Sequence, residues 1–174
     1  MDLLSLLLLV LPAYFANSSP VILGGGAPVD FGRKLWDRRR VFGDGKTWRG
    51  LVGGIFVGTV AGFVLSLFAP SLPYSIYGNA NDYVVAGFVA SCGALFGDLA
   101  GSFVKRRTGM KPGRPYLLLD QLPFIIFALL FLLPFGLLPA LNATDWFVIL
   151  VATLVLHAVT NWLAHKAGWK KVPW

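Results

Sequence analysis

Asp98, Ser102 and Lys105 stand at i, i+4 and i+7 within and just beyond an apolar run, with Arg106 beside them. On a helix that spacing puts one carboxylate, one hydroxyl and two cations on a single face. Asp98 lies about four turns into the run and about two turns before its end, roughly 10 Å in at 1.5 Å per residue. An ionisable group inside such a segment is costly and marks function by default, although a buried Asp–Lys pair that fixes helix packing has the same signature. Asp120 enters the next apolar run one turn past Tyr116. Two carboxylates at similar depth on adjacent helices offer hard oxygens to Mg²⁺, which is held by one or two carboxylates together with substrate phosphates. Neither His157 nor His165 has the spacing partners of a zinc site.

Three further segments could meet a phosphate. Arg40-Val41-Phe42-Gly43-Asp44-Gly45-Lys46-Thr47-Trp48-Arg49-Gly50 sets flexible glycines beside Lys46, Thr47 and Arg49 at a helix start, where backbone N–H groups and cations suit an anion. Its Gly-Lys-Thr is not a P-loop, because Arg40 stands where the first glycine belongs and no strand precedes it. Ala16-Asn17-Ser18-Ser19-Pro20 places polar side chains and a proline where another apolar run ends, either as an ordinary polar exit or as a broken helix presenting backbone groups to a ligand. His157, Asn161 and His165 repeat every four residues, a polar stripe suited first to interhelical hydrogen bonding, with Asn161 and His165 the members nearer the cytosol that could reach a substrate. Two Asp, several phosphate-suited cations, hydroxyls and an Asn fit phosphoryl or nucleotidyl transfer to a membrane-bound acceptor.

The elements that carry these residues are expected to be transmembrane helices. Hydrophobic residues make up 56% of the 174-residue chain and charged residues 13%, about half the usual share for a soluble domain. Five apolar segments, about 3–23, 51–70, 83–104, 117–138 and 146–165, each approach the ~20 residues that cross a bilayer. The expected fold is an all-α integral membrane protein, a bundle of about five transmembrane helices forming a single membrane catalytic domain over residues 1–174. The first segment lacks the basic flank and small-residue cleavage site of a signal peptide.

All fifteen Lys and Arg fall in three places: seven in the loop 24–50, five in 105–116 and three after the last span. The positive-inside rule puts these segments in the cytosol, the N-terminus outside and the C-terminus inside, so the polar machinery gathers at the cytoplasmic face of a multi-pass cell-membrane protein. This distribution also argues against nucleic acid as the partner of the +7 net charge. Trp146, Trp162, Trp169 and Trp174 suit interfacial anchoring. Gly50, Gly54, Gly58 and Gly62, and Gly93, Gly97 and Gly101, form small-residue faces that let helices approach closely. The lone Cys92 excludes a disulfide framework. Oligomeric state has no signature here.

At these residues the chain resembles the CDP-archaeol synthase family, archaeal relatives of CDP-diacylglycerol synthases. The landmarks are Asn17-Ser18-Ser19-Pro20, Phe42 through Gly50, and Gly97-Asp98 through Lys111, with Ser102, Lys105, Arg106 and Lys111 at the Ser-x-x-Lys-Arg-x₄-Lys spacing of phosphatidate cytidylyltransferases. Pro112, Gln121 and Pro123 depart from the bacterial pattern, and Asp44 is a candidate for the missing carboxylate. The resemblance implies cytidylyl transfer from CTP to an isoprenoid ether-lipid phosphate, 2,3-di-O-geranylgeranylglycerol 1-phosphate, giving CDP-archaeol and pyrophosphate. On that basis Asp98 and Asp120 are expected to hold Mg²⁺, with Asp98, Lys105 and Asp120 as the catalytic set. Arg106 and Lys111, together with Lys105, would hold lipid phosphate or pyrophosphate, with Ser102 in the same stripe. Lys46, Thr47 and Arg49 would bind triphosphate, and Asn17 and Ser18 would orient nucleotide or phosphate. A small transporter of an anionic substrate and a CTP-dependent lipid kinase are the competing readings; the first would be expected to show internal repeats and a midplane site.

Overall fold

A computed structural model describes residues 1–109 and 116–168. Among these it is helical throughout its regular structure: α1 (Leu3–Ser18), α2 (Pro20–Leu23), α3 (Trp48–Ser66), α4 (Ala80–Arg107), α5 (Leu117–Gln121), α6 (Pro123–Leu132) and α7 (Ala143–Lys166), with 3₁₀ turns at Ala69–Ser71 and Leu133–Phe135. Four stretches are long and apolar enough to cross a membrane, Leu3–Leu23, Trp48–Ser71, Ala80–Arg107 and Ala143–Lys166. The protein is a multi-pass membrane bundle.

The expected fourth span is not one continuous helix. Pro123 has no N–H to donate and disfavours helical backbone at the residue before it, so α5 ends at Gln121 and α6 begins at Pro123. Together with the 3₁₀ turn, Leu117–Phe135 would cover about 28 Å at helical rise, enough for a fifth pass. The break after Asn17-Ser18 is milder. Ser19 keeps helical dihedrals, and its N–H bonds the Phe15 carbonyl. Pro20 leaves the Ala16 carbonyl without its helical donor, and the Ser19 hydroxyl supplies one at 3.2 Å.

Helix ends are fixed by their own sequence. Asp2, Thr47, Asn79 and Asn142 are the N-caps of α1, α3, α4 and α7, each accepting from a backbone N–H in the first turn, and Asn142 with Asp145 completes a capping box.

The glycine faces set the spacing of the centre. On α4, a Cβ at Gly93, Gly97 or Gly101 would lie 2.5 Å from the Phe127 carbonyl oxygen, 2.3 Å from that of Pro123 and 2.6 Å from that of Leu119. Three glycines four apart thus face three carbonyls four apart on the broken fourth pass. Gly54 and Gly58 of α3 lie equally close to the Ala16 and Pro12 carbonyls of α1, and Gly62 to that of Tyr83 on α4. Lipid offers no hydrophobic force between helices, so this close packing has to hold them together. Ile125, Leu129, Leu132 and Ile149 fill the remaining interior.

Candidate active site

The loop 24–47 is folded back on itself before it reaches α3. Val29 N–H donates to the Lys46 carbonyl at 2.7 Å and Trp48 N–H to that of Ala27 at 3.0 Å, while Lys34 pairs antiparallel with Arg40 further out. At its centre is Asp30, whose side chain is only 1% exposed. One carboxylate oxygen accepts from Phe42 and Gly43 N–H, both at 3.0 Å, and the other from Gly32 N–H at 3.1 Å; Arg40 closes over both. Burial pushes the Asp30 carboxyl up, but the Arg40 guanidinium and the Gly43, Phe42 and Gly32 N–H groups outweigh it and hold the group well below the ordinary carboxylate range. The folded loop presents Lys46 inward.

Lys46 Nζ lies 2.7 and 2.6 Å from the two oxygens of Asp98. Asp98 is thus met by a lysine from the loop and not by a neighbour on its own helix face. Lys105 instead pairs with Asp120 of α5, whose second oxygen accepts from Tyr116 N–H at 2.8 Å. The physical reason is reach. A lysine held in a loop over the helix end approaches Asp98 head-on, whereas Lys105 lies one turn beyond Gly101, on the side where α4 touches α5. All four side chains are half-buried. Around the Asp98–Lys46 pair is a small open cleft, lined by Pro20, Gly45, Thr47, Gly50, Leu95 and neighbouring residues.

The other expected residues are placed as follows. Thr47 borders the cleft, but its hydroxyl oxygen accepts from Gly50 and Gly25 N–H, each at 3.2 Å, so it shapes the loop as a cap. Arg49 is exposed in the first turn of α3, with no carboxylate partner among the described residues. The Ser18 hydroxyl bonds back to the Tyr14 and Phe15 carbonyls, and Asn17 is half-buried at the end of α1. Asp44 is 81% exposed and paired with Arg40. Ser102 is buried on α4, while Arg106, in the last turn of the same helix, has a buried Nε with no partner among the described residues. Lys111 lies outside the described residues, as do Trp169 and Trp174. On α7, Asn161 is buried and bonded to His157 at 3.0 Å, an intrahelical contact, and His165 is exposed one turn on.

Several residues at this end carry weight that sequence reasoning did not assign to them. Asp30 and Arg40 organise the loop, and the signal for Asp30 was the Asp-x-Gly turn within Pro28-Val29-Asp30-Phe31-Gly32. Arg39 donates to the Arg107 carbonyl at 2.7 Å, where the α4 dipole favours a cation, and Arg107 reaches Asp37 at 2.7 Å. These contacts strap the loop to α4. Gln121, at the break before Pro123, has a buried Oε1 with no hydrogen-bond partner among the described residues. Orphaned buried atoms on Arg106 and Gln121 are what a polar ligand would satisfy.

A family model described as CarS-like: CDP-archaeol synthase matches residues 1–174. The chain belongs to the CDP-archaeol synthase family. It is 51% identical to a CDP-archaeol synthase of Pyrococcus abyssi over 165 residues, 95% of this chain and 94% of that one. It is 40% identical to that of Methanocaldococcus jannaschii over 169 residues, 95% and 93% of the two chains. A solved structure described as an intramembrane enzyme for archaeal membrane lipids biosynthesis superposes with a TM-score of 0.81 at 41% identity, covering 92% of this chain and 94% of that one. Membership of the CDP-archaeol synthase family, as the motifs implied, therefore holds over nearly the whole chain.

Proposed function

We propose that this protein is a CTP-dependent cytidylyltransferase that converts 2,3-di-O-geranylgeranylglycerol 1-phosphate to CDP-archaeol and pyrophosphate at the cytosolic face of the cell membrane. The observation that carries this reading is the Asp98–Lys46 pair at an open cleft, in a chain that matches the CDP-archaeol synthase family from end to end. The charge asymmetry of the ends supports the cytosolic placement.

In this reaction a lipid phosphate oxygen attacks the α-phosphorus of CTP, the new P–O bond forms, the bond to the β-phosphate breaks and pyrophosphate leaves. A phosphomonoester carries about −1.5 to −2 charge near neutral pH, so the nucleophile needs no general base. The difficulty is bringing two anions together. We assign Lys46 and Arg49, where the loop meets α3, to the triphosphate, and Lys105, Arg106 and, on its sequence position alone, Lys111 to lipid phosphate or departing pyrophosphate. Asn17, Ser18 and Ser102 are assigned to orienting nucleotide or phosphate. In the absence of substrate each lysine pairs with an Asp at a half-buried position. Arriving phosphates would take over the lysines and release the carboxylates.

The donor set fits Mg²⁺ that enters with the nucleotide. Asp98 and Asp120 are hard oxygen donors from α4 and α5, and among the described residues no group of three or more His, Cys, Asp or Glu forms a preformed cage. We assign those two carboxylates to the metal, which when bound would neutralise phosphate charge. The test is CTP labelled at the α- or γ-phosphate, incubated with the lipid phosphate and Mg²⁺. Cytidylyl transfer puts the α label in the lipid and the γ label in pyrophosphate. A γ label in the lipid with release of CDP would establish a lipid kinase instead.

A further inference from the structure

The outer part of the 24–47 loop is not used by the site. Leu35 N–H donates to the Arg39 carbonyl at 3.0 Å and Arg38 N–H to that of Leu35 at 2.9 Å, closing a hairpin with Arg38 at φ +59°. Trp36 at its tip is 83% exposed and Phe31 at its base 67%. Arg33, Lys34 and Arg38 around them are exposed as well.

The acids of this loop cannot compensate those three cations, because each is already taken. Asp30 and Asp44 are held by Arg40, and Asp37 by Arg107. Arg33, Lys34 and Arg38 are thus left with no carboxylate partner among the described residues. The height of the hairpin is fixed by its attachments. The Phe31 ring lies 6.2 Å from that of Trp48, the first residue of membrane-spanning α3, and Asp37 and Arg39 are bound to Arg107, the last residue of α4. Exposed aromatics at that height sit at the boundary between hydrocarbon and water, where an indole with one polar edge is favoured.

We infer that the Phe31–Arg38 hairpin is a docking surface for the anionic headgroups of the surrounding bilayer. Arg33, Lys34 and Arg38 meet lipid phosphates, and the Trp36 ring enters the headgroup layer. The choice of occupant follows from charge: three uncompensated cations beside a membrane-level aromatic match a negatively charged lipid surface. The loop that ends in Lys46 is then held from two sides, by α4 through Arg107 and by lipid through the hairpin tip.

The test uses the full-length protein in vesicles of phosphatidylcholine alone or mixed with phosphatidylglycerol. Trp36 emission is obtained as the difference between wild type and Trp36→Phe, and its accessibility is read with acrylamide, an uncharged aqueous quencher. With phosphatidylglycerol present, Trp36 emission should shift to the blue and acrylamide quenching should fall several-fold. Both effects should fade in 1 M salt, where the Debye length is about 3 Å. The triple substitution Arg33→Gln/Lys34→Gln/Arg38→Gln should abolish the dependence on phosphatidylglycerol while leaving thermal unfolding in detergent unchanged. Equal acrylamide access in both kinds of vesicle would overturn the inference. Protection that instead follows the protein-to-lipid ratio and ignores lipid charge would also overturn it, by assigning the face to a second copy. None of these readouts needs turnover, so the inference and the proposed activity fail independently.

Discussion

At the end of the bundle where the chain begins, the Met1 ammonium meets Asp145 at 2.8 Å, Ser5 donates to the Tyr74 carbonyl at 2.9 Å and Tyr77 to that of Leu137 at 2.7 Å. At the opposite end, Asp98, Asp120, Asp37 and Asp30 are met by Lys46, Lys105, Arg107 and Arg40. Both ends thus pair polar groups brought together from distant parts of the chain, but they differ in balance. The first contains three Asp and no Lys or Arg, and its contacts tie helix ends and loops into a seal. Among the described residues the second contains five Asp and eleven Lys and Arg, so its pairs leave cations over. A closed set of contacts serves stability. A surplus of one sign beside half-buried pairs, with orphaned atoms on Arg106 and Gln121, is arranged for ligands of the other sign.

Substitutions at the two ends should separate these roles. The largest effect is expected from Asp98→Asn or Asp120→Asn, with CTP-dependent pyrophosphate release down by about 10³-fold or more, the scale of losing a preorganised electrostatic partner. The unfolding temperature in detergent should change little. Next, Lys46→Met should lower kcat/KM for CTP by about 10²-fold, as loss of a phosphate clamp would, with less effect on the KM for lipid phosphate. Asp145→Asn should do the reverse, lowering the unfolding temperature while turnover of the folded protein stays near wild type. If Asp145→Asn cost as much activity as Asp98→Asn, the division between ends would be lost.

The smallest effect concerns pH. The Asp30 carboxyl is held below its unfolded value of about 3.9, so the unfolded chain takes up the proton first. Its contribution to stability should be complete above that value and disappear as pH falls through the lower folded one. Unfolding temperature measured against pH should drop more steeply below about pH 4 in wild type than in Asp30→Asn, where no such group titrates.

Much of this was legible in the sequence because lipid as solvent enforces simple rules. Apolar length located the passes, the Lys and Arg positions separated the ends, and the glycine stripes proved to be the surfaces facing the Pro12, Ala16, Leu119, Pro123 and Phe127 carbonyls. Asp98 and Asp120 stood out because charges in apolar runs are rare. What the sequence did not show was partnership. Helical spacing drew attention to the stripe Asp98, Ser102, Lys105, whereas Asp98 is met by Lys46 from 52 residues away and Lys105 by Asp120. Those pairings depend on how the 24–47 loop folds over the bundle. That in turn depends on a few contacts made by Asp30, Arg40, Arg39 and Arg107, to which no periodicity points. The divided fourth pass was more accessible, since Pro123 lies within it, but a length-based reading runs straight through.

The proposal that the chemistry belongs to the basic end, and that this end faces the cytosol, is tested most directly with sealed vesicles of known orientation. Membranes containing the protein would be prepared inverted or right-side-out, loaded with the lipid phosphate and given Mg²⁺ and labelled CTP, which does not cross the bilayer. We expect CDP-lipid to form at once in inverted vesicles and in right-side-out vesicles only after permeabilisation. Immediate formation in sealed right-side-out vesicles, with inverted ones silent until opened, would contradict it.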